Sequence, residues 1–390
     1  MTRVLFVNQS GQLGGGDFCL LDIAGDWKDE SLVALFSRGP LEAALHAKNI
    51  SFTVLDNLGG TFNVRREDGA LRAMLAIPRM IGLARKIARI SKEYDLIYAN
   101  SQKAFVVSAL ATSLVRKPII WHLRDILNSQ HFSSFNRWIV RFLANVFAKR
   151  VIANSIATGD AFIQAGGNKA KLIVIPDAID HKPFEEIRIE HVAALRRELQ
   201  LDGVPIIGYF SRISPWKGHT LVLEAMESLP DVHCLFVGAP LFGEQAYEDE
   251  LLRTVKKLGL ENRVHFLGFR SDIPELMRVV DIVVHVPLAP EPFGRILVEA
   301  MLAKRPIIAT REGGALEIIE DNVSGLLIEP GNAQSLAHAV TTLLANRNLS
   351  DRLATVGHTR ALVSFSLPPM LAQIRNVIHE VEQVSRVYPR

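Results

Sequence analysis

The sequence predicts an α/β protein with two doubly wound, Rossmann-like domains that face each other across a cleft. Short β-branched runs bounded by turn residues alternate with helical patterns over most of the 390 residues. Such runs are typical of parallel strands that helices bury on both faces. The alternation stops at a polar, charged stretch, 181–205, and then starts again. A chain of this length is also too long for one ordinary core.

The strand candidates and helical stretches follow one another in a regular order. The first half has strand candidates at 4–7, 31–36, 52–55, 96–99, 118–122, 151–155 and 172–176, and helical stretches at 68–92 and 134–149. The second half has strand candidates at 205–210, 233–238, 263–268, 281–286, 306–310 and 325–330, and a final helical pattern at 367–388. Open parallel sheets bind ligands beyond the carboxyl ends of their strands, so we expect the functional residues to follow the strands.

Composition and charge narrow the class of protein. Hydrophobic residues make up 48% and charged residues 22% of the chain, which is typical of a soluble globular protein. The net charge of +3 gives no argument for nucleic-acid binding. Cys19 and Cys234 lack the spacing of a metal site, so both are predicted to be free thiols. The sequence contains no 18-residue apolar run and no signal-peptide pattern, and it predicts a cytoplasmic protein.

A glycine cluster, SGQLGGGDFC at 10–19, directly follows the first strand candidate. It fits neither the dinucleotide fingerprint G-x-G-x-x-G nor the P-loop pattern. A helix that begins at these glycines would present backbone N–H groups to an anion. A plain strand-to-helix turn explains the segment equally well.

His122, in WHLRD at 121–125, comes at the carboxyl end of a strand candidate. A histidine in this place is able to hydrogen-bond a substrate hydroxyl or a group at the reaction centre. A lone histidine is more often structural, so both interpretations stay open.

Arg212 and Lys217 follow the first strand of the second half, in GYFSRISPWKG at 208–218. Arginine forks onto phosphate oxygens and lysine adds a point charge, so the pair is suited to hold a diphosphate without a metal. Two solvated surface cations are the alternative. No HExxH motif, Cys/His array or D-x-D motif in a strand-end loop is present, and the sequence predicts no metal site.

Glu291 and Glu299 flank seven residues in EPFGRILVEAM at 291–301. Two such carboxylates suggest the acid and nucleophile of a glycoside hydrolase. Glu291, however, falls in a loop at a strand end and Glu299 inside the next helix, which favours contacts to a sugar and to a ribose diol. The amides around Phe293 and Gly294 open that helix and are placed to face an anion. A capped helix with a surface glutamate is the alternative.

These residues resemble a known family. Segment 288–331 closely resembles the nucleotide-sugar site of the retaining glycosyltransferases of family 4, which have the GT-B fold. The resemblance rests on the E-x7-E pattern of Glu291 and Glu299 and on the pair Gly313–Gly314 that follows. It extends over essentially the whole chain, through landmarks at 14–16, 151–155, 174–180, 208–218 and 265–269 in the same order.

The resemblance implies a domain organisation and a role for each site residue. It implies an N-terminal acceptor-side domain at 1–185, a C-terminal nucleotide-sugar-binding domain at 200–366, and a helix at 367–390 that crosses back to the first domain. At the donor diphosphate, the resemblance implies contacts from Arg212, Lys217, Gly15 and Gly16. It implies that Glu299 binds the ribose and that Phe269 and Arg270 line the base pocket. The donor sugar would be bound by Glu291 with the backbone of Phe293 and Gly294, and His122 would lie near the reaction centre.

Three positions depart from the family pattern. Asp177 stands where asparagine is usual, and Lys304 stands where glycine is usual. Arg295 follows EPFG where an apolar residue is more common, and it is placed to add a cation near the phosphates or to reach the acceptor. We expect Lys304 to have little effect on function because it lies between a helix and a strand.

The resemblance implies transfer of a sugar, with retention and without a metal or other cofactor, from a nucleotide-diphosphate donor to a glycan or lipid-linked acceptor in polysaccharide biosynthesis. A UDP-sugar, UDP-glucose above all, is the favoured donor. Two other classes stay open: a nucleotide-sugar epimerase or phosphorylase on the same fold, and a nucleotide-sugar-binding subunit without catalysis.

Two stretches, 72–92 and 136–150, mix apolar residues with arginine and lysine. Helices of this kind are able to dock on the inner face of the cytoplasmic membrane or on an anionic lipid-linked acceptor. Ordinary helices that cover a sheet and solvate their outer faces are the alternative.

Overall fold

The computed structural model describes residues 2–55, 70–241 and 243–387, with the side chains of the helix that begins at residue 70 described from residue 77 onward. The chain divides into two compact units, Met1–Asp177 with Leu367–Arg390, and Ala178–Ser366. Residues 178–185 therefore belong to the second unit, although the sequence analysis ends the first domain at 185. Residues 68 and 69, part of the predicted helical stretch 68–92, lie outside the described residues.

The first unit is a parallel sheet covered by helices. Its strands are β1 (Val4–Asn8), β2 (Ser31–Leu35), β3 (Phe52–Val54), β4 (Leu96–Ala99), β5 (Ile119–Leu123), β6 (Ala148–Ala153) and β7 (Leu172–Val174). Its helices before residue 178 are α1 (Gly15–Asp26), α2 (Leu41–Ala47), α3 (Ala70–Ile90), α4 (Gln102–Val115), α5 (Ser134–Phe147) and α6 (Ile156–Gln164). The described strands lie in the order β3-β2-β1-β4-β5-β6-β7, which is a doubly wound sheet.

The second unit repeats this architecture. Its strands are β8 (Ile206–Phe210), β9 (His233–Val237), β10 (Val264–Gly268), β11 (Ile282–His285), β12 (Ile307–Thr310) and β13 (Leu326–Ile328), in the order β10-β9-β8-β11-β12-β13. Its helices are α7 (Lys182–Glu185), α8 (Ile189–Glu198), α9 (His219–Met226), α10 (Gln245–Lys257), α11 (Ile273–Val279), α12 (Arg295–Leu302), α13 (Ala315–Ile318), α14 (Ala333–Ala345) and α15 (Arg347–Ser364). The last helix, α16 (Leu367–Val387), belongs to the first unit.

Alternating side chains of the central strands fill two separate cores in the second unit. Ile207 and Tyr209 of β8 point into one apolar cluster, whereas Ile206 and Phe210 point into the other. Each fully buried side chain of this kind stabilises the fold by roughly 1.5–3 kcal/mol. Both faces of the sheet are therefore covered, which is the reason why its strands are almost wholly apolar.

The structure confirms the predicted fold class of two Rossmann-like α/β units, and each of the predicted strands is present. Cys19 and Cys234 are buried thiols that form no disulfide, as predicted. Lys304 is exposed and has a left-handed φ of 53°, which explains why glycine suits this position. In the described part of the chain, no helix combines the length and the apolar character needed to cross a membrane.

Candidate functional site

Lys217 lies in a tight turn that follows β8. The hydroxyl of Tyr209 on β8 donates a hydrogen bond to the carbonyl oxygen of Lys217. The next residue, Gly218, has a φ of 84°, and a Cβ there would lie 2.0 Å from the carbonyl oxygen of Val286, just after β11. Only glycine fits this close approach, which packs the β8 turn against the carboxyl end of the neighbouring strand.

Lys217 and Glu291 form a largely buried ion pair. Lys217 Nζ lies 2.5 Å from Glu291 Oε2, and the two side chains are 11% and 17% exposed. His285, the last residue of β11, places Nε2 at 3.4 Å from the same oxygen. Burial opposes ionisation of Glu291, but Lys217 and His285 outweigh it and lower the pKa of the carboxyl well below its usual range. Glu291 is therefore an ionised hydrogen-bond acceptor at neutral pH.

Trp216 connects the two cations of the turn. Lys217 Nζ lies 4.2 Å from the centre of the Trp216 ring, and the Arg212 guanidinium carbon lies 5.8 Å from it, both within range of a cation–π interaction. Arg212 also lies 3.6 Å from the carboxylate of Glu244, which accepts a 2.6 Å hydrogen bond from Ser214. The turn thus brings Arg212 and Lys217 together, as the sequence analysis expected.

The Gly-Gly turn after β12 holds the loop that carries Glu291. The N–H of Gly314 donates a 2.8 Å hydrogen bond to the carbonyl oxygen of Glu291. A Cβ on Gly313 would lie 2.3 Å from that oxygen, and a Cβ on Gly314 would lie 2.4 Å from the carbonyl oxygen of Phe293. The two glycines are needed because the backbones of the loops touch, so a side chain would displace Glu291.

Helix α12 begins at the EPFG turn. Gly294 precedes it with a φ of 98°, whereas the ring of Phe293 is buried against Phe365 with the ring centres 5.7 Å apart. The ring of Phe293 is therefore not available to a ligand, and a ligand contact through its backbone stays a prediction. One turn into the helix, Glu299 lies 3.7 Å from Arg295, and burial raises the pKa of Glu299 although Arg295 opposes this.

Phe269 and Arg270, the residues expected at the base, follow β10. Phe269 is 62% exposed, which is high for a phenylalanine. Arg270 donates two hydrogen bonds, of 2.8 and 2.6 Å, to the carboxylate of Asp272. This fork fixes the plane of the Arg270 guanidinium.

The glycine cluster of the first unit begins helix α1. Asp17 accepts hydrogen bonds from the Gly14 N–H at 2.9 Å and from the Asn8 amide at 2.7 Å. Burial raises the pKa of Asp17 to about 6 against these two hydrogen bonds. Gly15 is exposed, and a Cβ on Gly16 would lie 2.9 Å from the side chain of Arg124. Asp17 thus uses one of the backbone donors expected to face an anion.

His122 is buried in a polar network at the carboxyl end of β5. Its Nδ1 lies 2.6 Å from the hydroxyl of Tyr98 and 3.1 Å from Arg124 Nη2, and its Nε2 lies 3.9 Å from Asp177. Arg124 in turn donates hydrogen bonds of 2.7 and 2.9 Å to the two carboxylate oxygens of Asp177. The network thus joins Tyr98 of β4 and His122 of β5 with Arg124, directly after β5, and Asp177, after β7.

The contacts of Asp177 explain why an aspartate stands here where the family usually has asparagine. Besides Arg124, it accepts hydrogen bonds from Asn154 at 3.3 Å and from Cys19 at 3.2 Å. Arg124 and Asp177 are 8% and 3% exposed, so an uncharged residue at 177 would leave the buried guanidinium without a counter-charge.

The sequence analysis missed several of these contacts. It did not single out Tyr98, Arg124, Trp216 or His285. Arg124 was visible as the charged residue directly after β5, Trp216 as the aromatic residue beside Lys217, and His285 as the polar residue that ends β11. Within the described ranges, no group of three or more His, Cys, Asp or Glu side chains is arranged to hold a metal ion.

Comparisons with known proteins agree with this architecture. Residues 36–182 match the family model "Glycosyltransferase Family 4", and residues 192–360 match the model "Glycosyl transferases group 1". The crystal structure of Anabaena HepE in complex with UDP-glucose is 39% identical to this chain, with a TM-score of 0.90, over 97% of this chain and 100% of the other. The chain therefore belongs to the GT-B glycosyltransferases of group 1 and family 4.

Curated relatives match over a shorter stretch. D-inositol 3-phosphate glycosyltransferase of Mycobacterium sp. (strain JLS) is 30% identical over 215 residues, 54% of this chain and 48% of the relative. The lipopolysaccharide core biosynthesis glycosyltransferase LpsE of Rhizobium meliloti is 30% identical over 162 residues, 42% of this chain and 46% of the relative. The chain thus spans about half the length of the curated relatives it matches. The part of the ligand that each site residue contacts stays a prediction.

Proposed function

We propose that the protein is a retaining hexosyltransferase that moves a sugar from a UDP-sugar, with UDP-glucose favoured, to a hydroxyl of a glycan or lipid-linked acceptor. The observation that carries this proposal is the buried Lys217–Glu291 pair beside Arg212, in a chain 39% identical to a protein crystallised with UDP-glucose. The pair places a cation for a phosphate and an ionised acceptor for sugar hydroxyls 2.5 Å apart.

Arg212 and Lys217 meet the charge of the donor diphosphate in this proposal. Both cations lie on one turn at the carboxyl end of β8, where open parallel sheets bind ligands. Charge that develops on the leaving phosphate is stabilised by such preorganised cations, so the reaction does not depend on a metal. Glu299, one helical turn beyond EPFG, binds the ribose diol, and Phe269 with Arg270 lines the base pocket.

Glu291 acts as a hydrogen-bond acceptor and not as a nucleophile. Its carboxylate is already engaged by Lys217, and the low pKa that results makes it a weak nucleophile. A front-face displacement, in which the leaving phosphate helps to deprotonate the acceptor hydroxyl, then accounts for retention. Such a mechanism needs the sugar held in place, which is the role of Glu291 and of the backbone at Phe293 and Gly294.

A panel of UDP-, GDP- and ADP-sugars tests the donor. We expect UDP-glucose to raise the melting temperature most, and to yield UDP and an α-configured product or free glucose in the presence of EDTA. A sugar nucleotide isomerised without release of UDP would support an epimerase instead. Stabilisation by UDP-glucose without any turnover, across a screen of glycan acceptors, would support a binding subunit.

Helix α5 supports a peripheral contact with the inner face of the cytoplasmic membrane. Its buried side faces the core through Val140 and Ala144. Its outer side exposes Phe135, Trp138, Phe142 and Val146, with Trp138 and Phe142 stacked at 5.8 Å between ring centres. Arginines 137 and 141 flank this stripe. An aromatic stripe with flanking arginines suits a surface of anionic lipids, and we propose that such a surface presents the lipid-linked acceptor.

A further inference from the structure

The two ring nitrogens of His122 have different surroundings. Nδ1 has two partners, the hydroxyl of Tyr98 and Nη2 of Arg124. Nε2 is buried and has no hydrogen-bond partner among the described residues. The side chain as a whole is 1% exposed. Buried polar atoms of this kind nearly always bind a partner, so Nε2 is the atom left to contact a ligand.

Arg124 decides which nitrogen of His122 carries the proton. A guanidinium has only donors, so the contact of 3.1 Å from Nη2 requires Nδ1 to accept. The hydroxyl of Tyr98, at 2.6 Å, is able to donate to the same nitrogen. The proton of the neutral ring must then lie on Nε2. The carboxylate of Asp177, 3.9 Å from Nε2, favours a proton in that place.

The surrounding charges keep this ring neutral. Burial and the charge of Arg124 lower the pKa of His122 well below its usual range, against the opposite effect of Asp177. Burial raises the pKa of Tyr98 well above its usual range, so the phenol keeps its proton. Asp177 raises the pKa of Arg124 against the effect of burial, so the guanidinium stays charged and continues to donate.

The geometry points to Tyr98 and Arg124 as positioning residues that hold His122 as a neutral imidazole with its proton on Nε2. That atom is left to donate a hydrogen bond to a ligand oxygen. A ring in this state is unable to take up a proton at Nε2, so His122 acts as a fixed donor and not as a general base. This inference rests on the proposed function for the identity of the ligand.

Nitrogen NMR of the protein labelled with 15N-histidine tests the tautomer directly. The His122 signals are assigned with His122→Gln. We expect an unprotonated Nδ1 and a protonated Nε2 in the free protein, and a shift of the Nε2–H resonance when UDP-glucose saturates the protein. A protonated Nδ1, or an Nε2–H resonance that does not move while UDP-glucose stabilises the protein, would overturn the inference.

Variants of the network separate positioning from folding. Arg124→Met/Asp177→Asn removes the hydrogen-bond donor to Nδ1 together with its counter-charge. We expect a protonated Nδ1 to appear in this variant. We also expect kcat to fall roughly tenfold or more, because the wrong tautomer of a catalytic histidine lowers kcat in serine proteases. Tyr98→Phe keeps the contact of Arg124 and should keep the tautomer. Leu114→Ser, at an exposed position on α4 outside this network, is the control and should change neither.

The tautomer in the free protein is measured without substrate, so it separates this inference from the proposed function. A protein that binds no UDP-sugar but has the predicted tautomer would refute the proposed function and leave the positioning of the ring established. If the double variant does not fold, the spectra of the wild type and of Tyr98→Phe still test the tautomer. A proton on Nδ1 of His122 in the wild type or in Tyr98→Phe would refute the inference.

Discussion

Lys217 and Glu291, 74 residues apart in the chain, form an ion pair of 2.5 Å at the carboxyl ends of two neighbouring strands. Each carries charge that is costly to bury alone, so each stabilises the other in a place where a ligand is expected. The tight turn at Gly218 fixes one partner, and the Gly313–Gly314 turn fixes the other. The pair is therefore part of the fold as well as of the candidate site.

Breaking this pair is expected to separate stability from activity. Lys217→Met leaves a largely buried carboxylate without its lysine partner, which should lower the free energy of unfolding by about 3 kcal/mol. The double variant Lys217→Met/Glu291→Gln removes both charges and should regain most of that loss in thermal unfolding. Turnover of UDP-glucose should be absent from both. A double variant as unstable as the single one, or one that turns over the donor, would contradict this.

Because the Gly-Gly turn packs so closely against the Glu291 loop, we expect a single added methyl group to weaken donor binding. Gly314 has an ordinary φ, so Gly314→Ala acts only through the Cβ that would lie 2.4 Å from the carbonyl oxygen of Phe293. We expect the Glu291 loop to shift and the affinity for UDP-glucose, measured by calorimetry, to fall at least about tenfold. Gly82→Ala, which has open space around its Cβ, is the control. Equal donor affinity of both variants would show that the contact does not position Glu291.

The buried ring of His219 makes the stability of the second unit depend on pH. Burial, followed by the charge of Lys217, lowers the pKa of His219 to about 3 from its ordinary value of 6.5. Below about pH 6.5 the unfolded chain takes up a proton that the folded chain does not, so the free energy of unfolding falls by up to about 1.4 kcal/mol per pH unit. This loss ends near pH 3, where the folded protein is protonated as well.

Urea unfolding at pH 7 and pH 5 checks this dependence. His219→Gln cannot be protonated and should lose less stability between the two values than the wild type does. The exposed His46 gives the matched control, His46→Gln, which should keep the wild-type loss. The same loss in His219→Gln as in the wild type would mean that other groups cause the acid sensitivity.

The exposed aromatic side chains and flanking arginines of α5 lead us to expect binding to anionic vesicles. We expect the wild type to co-sediment with vesicles that contain phosphatidylglycerol, more strongly at low salt than at high salt, because the arginines act through screened charges. Trp138→Ser/Phe142→Ser removes the stacked aromatic pair and should abolish most of this binding without loss of stability. Leu114→Ser, a change of an exposed apolar residue on α4, is the control. Equal vesicle binding by the wild type and the double variant would show that α5 is not the membrane contact.

The strands could be predicted from the sequence because apolar runs such as Ile206–Phe210 are buried on both faces, and burial alone determines that pattern. The cations of the site were visible because Arg212 and Lys217 follow a strand directly. Contacts such as those of His122 with Tyr98 and Arg124 were not visible, because they depend on which strands become neighbours and on the direction of each side chain. Trp216 gave no periodic signal, since it lies in a turn.

Titration with UDP tests most directly whether the second unit holds a nucleotide diphosphate. Calorimetry with the wild type and with Arg212→Met should show one site per chain, and the variant should bind UDP at least about tenfold more weakly, a loss of about 1.4 kcal/mol. Arg253→Met, at an exposed position on α10, should bind as the wild type does. Binding of UDP by Arg212→Met with wild-type affinity, or no binding by the wild type at millimolar UDP, would contradict the account.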